Sequence, residues 1–464
     1  MLLTTLRQRN FALLWLGGLI SQTGDWLLII GLPVYVYTQT GSVLATSLTL
    51  ITGFVPGLLF GSLAGVLVDR WDRKWTLIIS NLLLAIGLLP LLAVHSKASL
   101  WMVYPVLFFE STLEQVVLPA ENALLPSLVS EELLVSANAL ISVSSNTSRL
   151  AGAALGGVLL GLFGLGGVAL LDALSFVFVS AMVLFISMPT KSAPSREGEV
   201  PAASVAMGKQ LVHEWLEGLQ PICVERTLTI LLIAFILTGF GEGIFGVLLV
   251  VFVKQVLLGG AVVYGSLLAA QAVGSLIGGL AIGHLGNRIP PLRLVGIGLA
   301  IFGFLDLLII DLPLFVPGLL LVFVLFILVG LPSTGALVGF NASVQILVED
   351  QLRGRIFGTL LAMRSSLTLL GMVVAGTLGD RLGPVLLLNA QGGIYLFSGL
   401  LVLFTLWKGI AGKRTFQGGR IGGRAEALGH TENSVTFSGV KRRATRDCWT
   451  KAALTCGRMP SSFT

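Results

Sequence analysis

Twelve apolar runs, most of them about twenty residues or longer, set the terms on which this chain folds. They fall at roughly 11–38, 43–68, 75–94, 100–119, 137–162 and 167–188, then 227–252, 261–284, 292–311, 314–341, 356–379 and 384–408. A helix of about twenty residues crosses a bilayer core of roughly 30 Å. Backbone polar groups in lipid are satisfied only inside helices or closed barrels, and continuous runs rather than alternating segments select helices. Composition agrees: 55% of the 464 residues are hydrophobic, 11% are charged, and the mean hydropathy is +0.93. A soluble domain carries about 25% charged residues. The expectation is an all-α polytopic membrane protein.

A polar stretch from Pro189 to Arg226 divides the runs six and six. Its "SAPSREGEVPAAS" reads as a linker, and "KQLVHEWLEGL" has the spacing of an amphipathic helix at a membrane surface. The expected parts are a six-helix bundle over 1–188, a cytosolic linker over 189–226, a second bundle over 227–408 and a tail over 409–464. With the N-terminus in the cytosol, thirteen Lys and Arg before the tail fall on the cytosolic side and only Lys97, Lys254 and Arg381 outside. That bias places both termini in the cytosol of a multi-pass protein of the cell inner membrane. The opening run is read as a membrane helix rather than a cleaved signal, because it reaches Tyr37 with Asp25 inside it. The tail holds ten Lys/Arg and three Asp/Glu, so its balance of +7 exceeds the whole chain's +6. Without an apolar periodicity it is expected to be disordered. Cys223, Cys448 and Cys456 are too few and too scattered for a disulfide framework or a metal site.

The two halves share a pattern. "GSLAGVL" at 61–67 matches "GSLIGGL" at 274–280, and the segment 127–157 aligns with 346–376, placing Gly152 on Gly371 and Gly157 on Gly376. Two related bundles joined by a linker suit a transporter that rocks about a central site.

Between the second and third runs stands "GVLVDRWDRKW", in which five of the six residues from Asp69 to Lys74 are ionised. Basic charge alone would keep this turn out of the bilayer; Asp69 and Asp72 ask for a further reason. The loop resembles the signature G-x-L-x-D-R-x-x-R-K of the major facilitator superfamily, with Gly65, Leu67, Asp69, Arg70, Arg73 and Lys74 fitting. The opening "RNFALLWLGGLISQTGDWL", the segment "NALLPSLVSEELLVSANAL" and "LGGVLLGLFG" are similar to the drug/proton antiporter branch of macrolide-efflux type. The resemblance covers about residues 7 to 408 and implies the facilitator fold. It further implies that Asp69 docks at the N-terminus of the eleventh helix near Gly354, where partial positive charge favours a carboxylate. Arg70 and Arg73 would complete this cytosolic gate with Asp72 and Lys74. In the second half Ile282 replaces the acid, leaving Arg288. "RLAGAALGG" resembles the antiporter signature G-P-x-x-G-G, with Gly152, Gly156 and Gly157 in place and Ala153 at the proline position. These glycines serve bending or close packing of the fifth helix.

A charge at mid-bilayer costs at least about 2.5–3.5 kcal/mol on insertion scales, which makes each one a candidate for function. Six stand out: Asp25, Glu110, Glu114, Arg149, Glu242 and Arg364. At about 1.5 Å per residue, Glu110 lies ~15 Å in from one face and Arg149 ~18 Å in from the other, near one level. The expectation is therefore an Arg149–Glu110 pair with Glu114 one turn away, serving protons and a cationic or polar drug. Asp25 and Glu242 occupy corresponding helices of the two halves, and Arg364 balances acids of the second. Asp172, Asp306 and Asp311 are read as structural.

No Walker loop, dinucleotide turn or His/Cys cluster is present in the sequence. The chain is expected to be no enzyme and to need no cofactor or metal. Its partners are a small-molecule substrate, protons and the lipid bilayer rather than nucleic acid, and it acts as a monomer. The leading expectation is proton-coupled efflux of amphipathic, macrolide-like or siderophore-like molecules. A proton-coupled uptake permease and a non-transporting membrane sensor or scaffold are the alternatives.

Overall fold

The structure, a computed structural model, describes residues 2–68, 70–187, 226–285, 288–316, 318–348 and 350–417. Asp69, residues 189–225 of the linker with its expected amphipathic helix, and the tail past 417 lie outside the described residues. Residues Met1–Ile410 form one compact unit. After a short helix at Leu2–Leu6, long helices follow one another: α1 (Arg9–Thr40), α2 (Val43–Val68), α3 (Arg73–Leu88) and α4 (Val103–Leu128). The helix Leu134–Leu184 is broken at Gly164 into α5 (134–163) and α6 (165–184). The second half holds α7 (Arg226–Gln255), α8 (Ala261–Leu285), α9 (Pro291–Phe315), α10 (Leu319–Leu347), α11 (Asp350–Leu382) and α12 (Pro384–Gln417).

Ten described helices are long and apolar enough to cross a membrane. The Gly164 break divides one of them, and α4, whose acids interrupt its apolar run, packs between α2 and α3. The result is the expected all-α membrane architecture of twelve helices in two six-helix bundles. Gly164 has φ 67°, a backbone that L side chains avoid, which is why the chain turns there without a loop. Gly41, at φ 66°, likewise ends α1 and donates its N–H to Tyr37 O. The expected fourth helix ends at 119; α4 continues to Leu128, which brings Glu121 inside it. Leu162, Phe163 and Ile86 stand exposed on the outer surface, as lipid contact requires.

Packing within each half is glycine-mediated. A Cβ on Gly152 would overlap Trp26 of α1, and one on Gly371 would overlap Phe240 O of α7. Across the halves, Gly157 faces Ala261 of α8 while Gly376 faces Ser47 of α2. The residues aligned by the internal repeat thus occupy equivalent packing positions, α5 against α1 and α8, α11 against α7 and α2. Gly156 also packs on α1, at Ile30 and Leu27 O. The three glycines of the antiporter-like segment are close-packing sites.

The halves meet along two antiparallel pairs, α2 with α11 and α5 with α8. Near the turn at residues 41–42 the contact is tight: Ser47 donates to Met372 O at 2.7 Å, and Gln255 donates to Tyr37 Oη at 2.8 Å. Toward the opposite end, where the turn at 70–72 lies, a Cβ added at Gly65, Gly283, Gly354 or Gly358 would meet nothing within 4 Å. Among these described positions, the seam is closed at the 41–42 end and open at the 70–72 end.

Candidate functional site

Three helices of the first bundle bring carboxylates together. Asp25 of α1, Glu110 of α4 and Asp172 of α6 present oxygens that lie within 4.8 Å of one another. Glu110 is 8% exposed and Asp172 is fully buried. Asp172 Oδ1 accepts from the Ser175 hydroxyl at 3.2 Å. Asp25 Oδ1, Glu110 Oε2 and Asp172 Oδ2 have no hydrogen-bond partner among the described residues. Gly24 makes the convergence possible, because a Cβ there would overlap Asp172 Oδ1 and stand 2.9 Å from Ser175 Oγ. Glu114 lies one helical turn from Glu110, and Glu121 stands near Gly18 of α1.

Arg149 is not part of this cluster. It is exposed and makes no ion pair among the described residues, which corrects the expected Arg149–Glu110 contact. The reason is helical phase. Ser148 and Gly152 face α1, where Ser148 donates to Leu19 O at 2.8 Å. Arg149 shares the stripe of Ala153 and Gly157, whose neighbours belong to α8. Its side chain therefore emerges on the seam between halves, one turn toward the open end. The direction of the side chain differs from the expectation. Asp172, read as structural from sequence, takes the place assigned to Arg149. The signal that could have found it is a lone acid in "GVALLDALSFVF", well inside an apolar run.

With no ion pair compensating them among the described residues, three clustered carboxylates at membrane depth call for bound protons or a bound cation. Carboxylate oxygens alone suit a hard cation such as Ca²⁺, which takes oxygen ligands at about 2.3–2.6 Å, and suit shared protons equally.

The second bundle is organised differently. Glu242 of α7 and Arg364 of α11 form an ion pair, half-exposed, with the guanidinium 5.0 Å from the centre of the Phe235 ring. These two residues, expected separately, are partners. Gly239 and Gly243 around Glu242 pack on Arg364, Thr368 and Met372, so the glycine-rich stretch brings α7 against α11. Asp306 accepts from Gln391 at 2.8 Å and Asp311 from Asn389 at 2.6 Å, which ties α9 to α12.

The charged turn folds onto its own half. Asp72 caps α3 by accepting from Trp75 N at 2.9 Å. Arg73 donates to Ala123 O of α4 at 2.8 Å, and Lys74 to Leu184 O and Ile186 O at 2.9 and 2.7 Å. Arg70 and Arg288 are exposed at the open end, and Gly65 has open space beside it. In this conformation the described gate residues secure α3, α4 and α6 rather than bridging the halves.

Known proteins share this architecture. The MFS-type transporter YfiS of Bacillus subtilis (strain 168) is 28% identical, over 86% of this chain and 93% of its own. Macrolide efflux protein A of Streptococcus pyogenes is 26% identical, over 81% of this chain and 90% of its own. A bacterial homologue of the iron transporter ferroportin, solved in an inward-facing state, superposes with a TM-score of 0.67 at 16% identity, covering 85% of this chain and 98% of that one. The transmembrane secretion effector family of the major facilitator superfamily matches residues 2–410, and the chain belongs to that family of transporters.

Proposed function

We propose that this transporter exports amphipathic molecules of macrolide-like or siderophore-like character across the cell inner membrane in exchange for protons. The observation that carries the coupling is the buried trio Asp25, Glu110 and Asp172, whose charge no ion pair offsets among the described residues. Protons arriving at the trio neutralise it, and their departure restores charge that α1, α4 and α6 must accommodate by moving or by meeting water. Export is supported by similarity to macrolide efflux protein A along most of the chain. With the Lys/Arg bias placing both termini in the cytosol, the closed 41–42 end is external and the open end admits substrate from inside.

In this reading Arg149 and the Glu242–Arg364 pair flank the route taken by substrate, and Glu114 and Glu121 line the proton's path along α4. The test is uptake of ethidium and of erythromycin into everted vesicles, with and without an imposed proton gradient. Gradient-driven uptake by the native chain, lost in Asp172→Asn and Glu110→Gln and kept in Asp311→Asn, supports the proposal. Native uptake that ignores the gradient removes the coupling. Loading only in right-side-out vesicles replaces export with import.

A further inference from the structure

The α2–α11 pair carries one short sequence twice, at opposite ends. "AGVLVDR" spans 64–70 at the end of α2, and "AGTLGDR" spans 375–381 at the end of α11, with Ala, Gly, Leu, Asp and Arg in common. The two copies are not related by the repeat that aligns the halves, since that repeat places α11 on α5. They are related by the antiparallel pairing itself.

At the closed end the second copy is engaged. Asp380 Oδ1 accepts from the backbone N–H of Val43, the first helical residue of α2, at 3.2 Å. That N–H has no acceptor within its own helix. Ser42 Oγ already accepts from Ala45 N, so the α2 cap is completed from the other half of the molecule. Gly376 lies against Ser47, and Gly379 against Val43 and Leu248. A side chain at either glycine would push α11 off α2 and break the contact. The roles fit the spacing shared by the two copies: a small residue for approach, then four residues on an acid for the facing helix terminus. At this end of the pair Val43 stands opposite Asp380 and Ser47 opposite Gly376.

We propose that Asp380, with Gly376 and Gly379, is the positioning group that locks α2 to α11 at the 41–42 end. Asp380 reaches the N-terminus of α2 only while this end is closed. The lock holds the 41–42 end shut and so favours the conformation that is open at the 70–72 end. This inference rests on the fold and the pairing, and an importer would keep it.

The test uses the full chain with Cys223, Cys448 and Cys456 replaced by Ser. Single cysteines are placed at Ser47, buried in the closed seam, and at Gly358, exposed at the open end. Labelling rates with a polar maleimide are measured in detergent. Asp380→Ala is expected to raise the rate at 47 by tenfold or so and to lower the rate at 358, because closing one end follows opening the other. Asp380→Glu is expected to restore both rates. Val43→Pro deletes the N–H at a helix position that tolerates proline, leaves Asp380 intact, and is expected to act in the same directions; it carries the test if Asp380→Ala fails to accumulate. Unchanged rates overturn the proposal. So does a rise at both positions, the mark of a protein that has merely loosened.

Discussion

Gly24 and Gly53 show how differently one residue type behaves in neighbouring helices. At Gly24 a methyl group would enter the space of the Asp172 carboxylate, whereas at Gly53 nothing lies within 4 Å. Gly24→Ala is expected to lower stability by about 1–3 kcal/mol, as overpacking does. It should also abolish gradient-driven transport, since the trio cannot keep its geometry. Gly53→Ala is expected to be neutral or to stabilise by up to ~1 kcal/mol through helix propensity. Thermal unfolding in detergent, monitored beside vesicle transport, separates the two. The same scale explains what the sequence can reveal about the site. Asp25 and Glu110 are legible because acids are costly in an apolar run. Their partner is not. In a membrane helix both the lipid face and the packed face are apolar, so the 3.6-residue period that orients a helix in water is faint. Rise per residue places Arg149 and Glu110 at one level; only packing shows that Arg149 turns to the seam and that Asp172 completes the trio.

Helix ends and helix contacts follow a related division. Twelve spans can be read from run length alone, and α4 reads short, to 119, because Glu110, Glu114 and Glu121 lower its apolar density. The Gly164 turn shows in the sequence only as a gap between two runs. The packing role of the glycines around Glu242 is hidden there, since glycine serves bending and close approach alike. The α7–α11 contact makes this concrete: Gly371 sits on Phe240 O and Gly243 on Thr368 O. Gly371→Val is expected to separate the two helices and prevent accumulation of folded protein, judged by monodispersity in gel filtration. Glu242→Gln should be milder. Its ion pair is half-exposed, and screened pairs of this kind contribute roughly 0–1 kcal/mol. Any larger loss of transport than of stability in Glu242→Gln would assign the pair to the substrate route. Lys74→Met removes the Nζ that donates to Leu184 O and Ile186 O at the end of α6, and should cost about 1 kcal/mol of thermal stability without touching the trio.

At the scale of the whole molecule, closure at one end and openness at the other define a single conformation of a two-state machine. Contacts that close the seam include glycine-to-backbone approaches and hydrogen bonds between halves, such as Gln255 to Tyr37. Buried apolar side chains of both halves, among them Tyr37, Val43, Leu248 and Phe252, pack in one cluster beside them. Hinge motion between packed bundles would have to exchange that apolar contact for another. Arresting that seam should stop the cycle without damaging either bundle. A Cβ on Gly379 would lie 3.3 Å from the Cβ of Val43, slightly shorter than the roughly 3.5–4.5 Å separation of disulfides, so that a small outward shift of α11 seats the bridge. The pair Val43→Cys and Gly379→Cys, in a chain freed of native cysteines, is expected to cross-link on mild oxidation. Cross-linked protein should bind substrate from the open end and lose transport; reduction should return transport to the level of the uncross-linked double variant. Transport that persists across the bridge would mean that the 41–42 end does not open during the cycle, and that substrate leaves by another path.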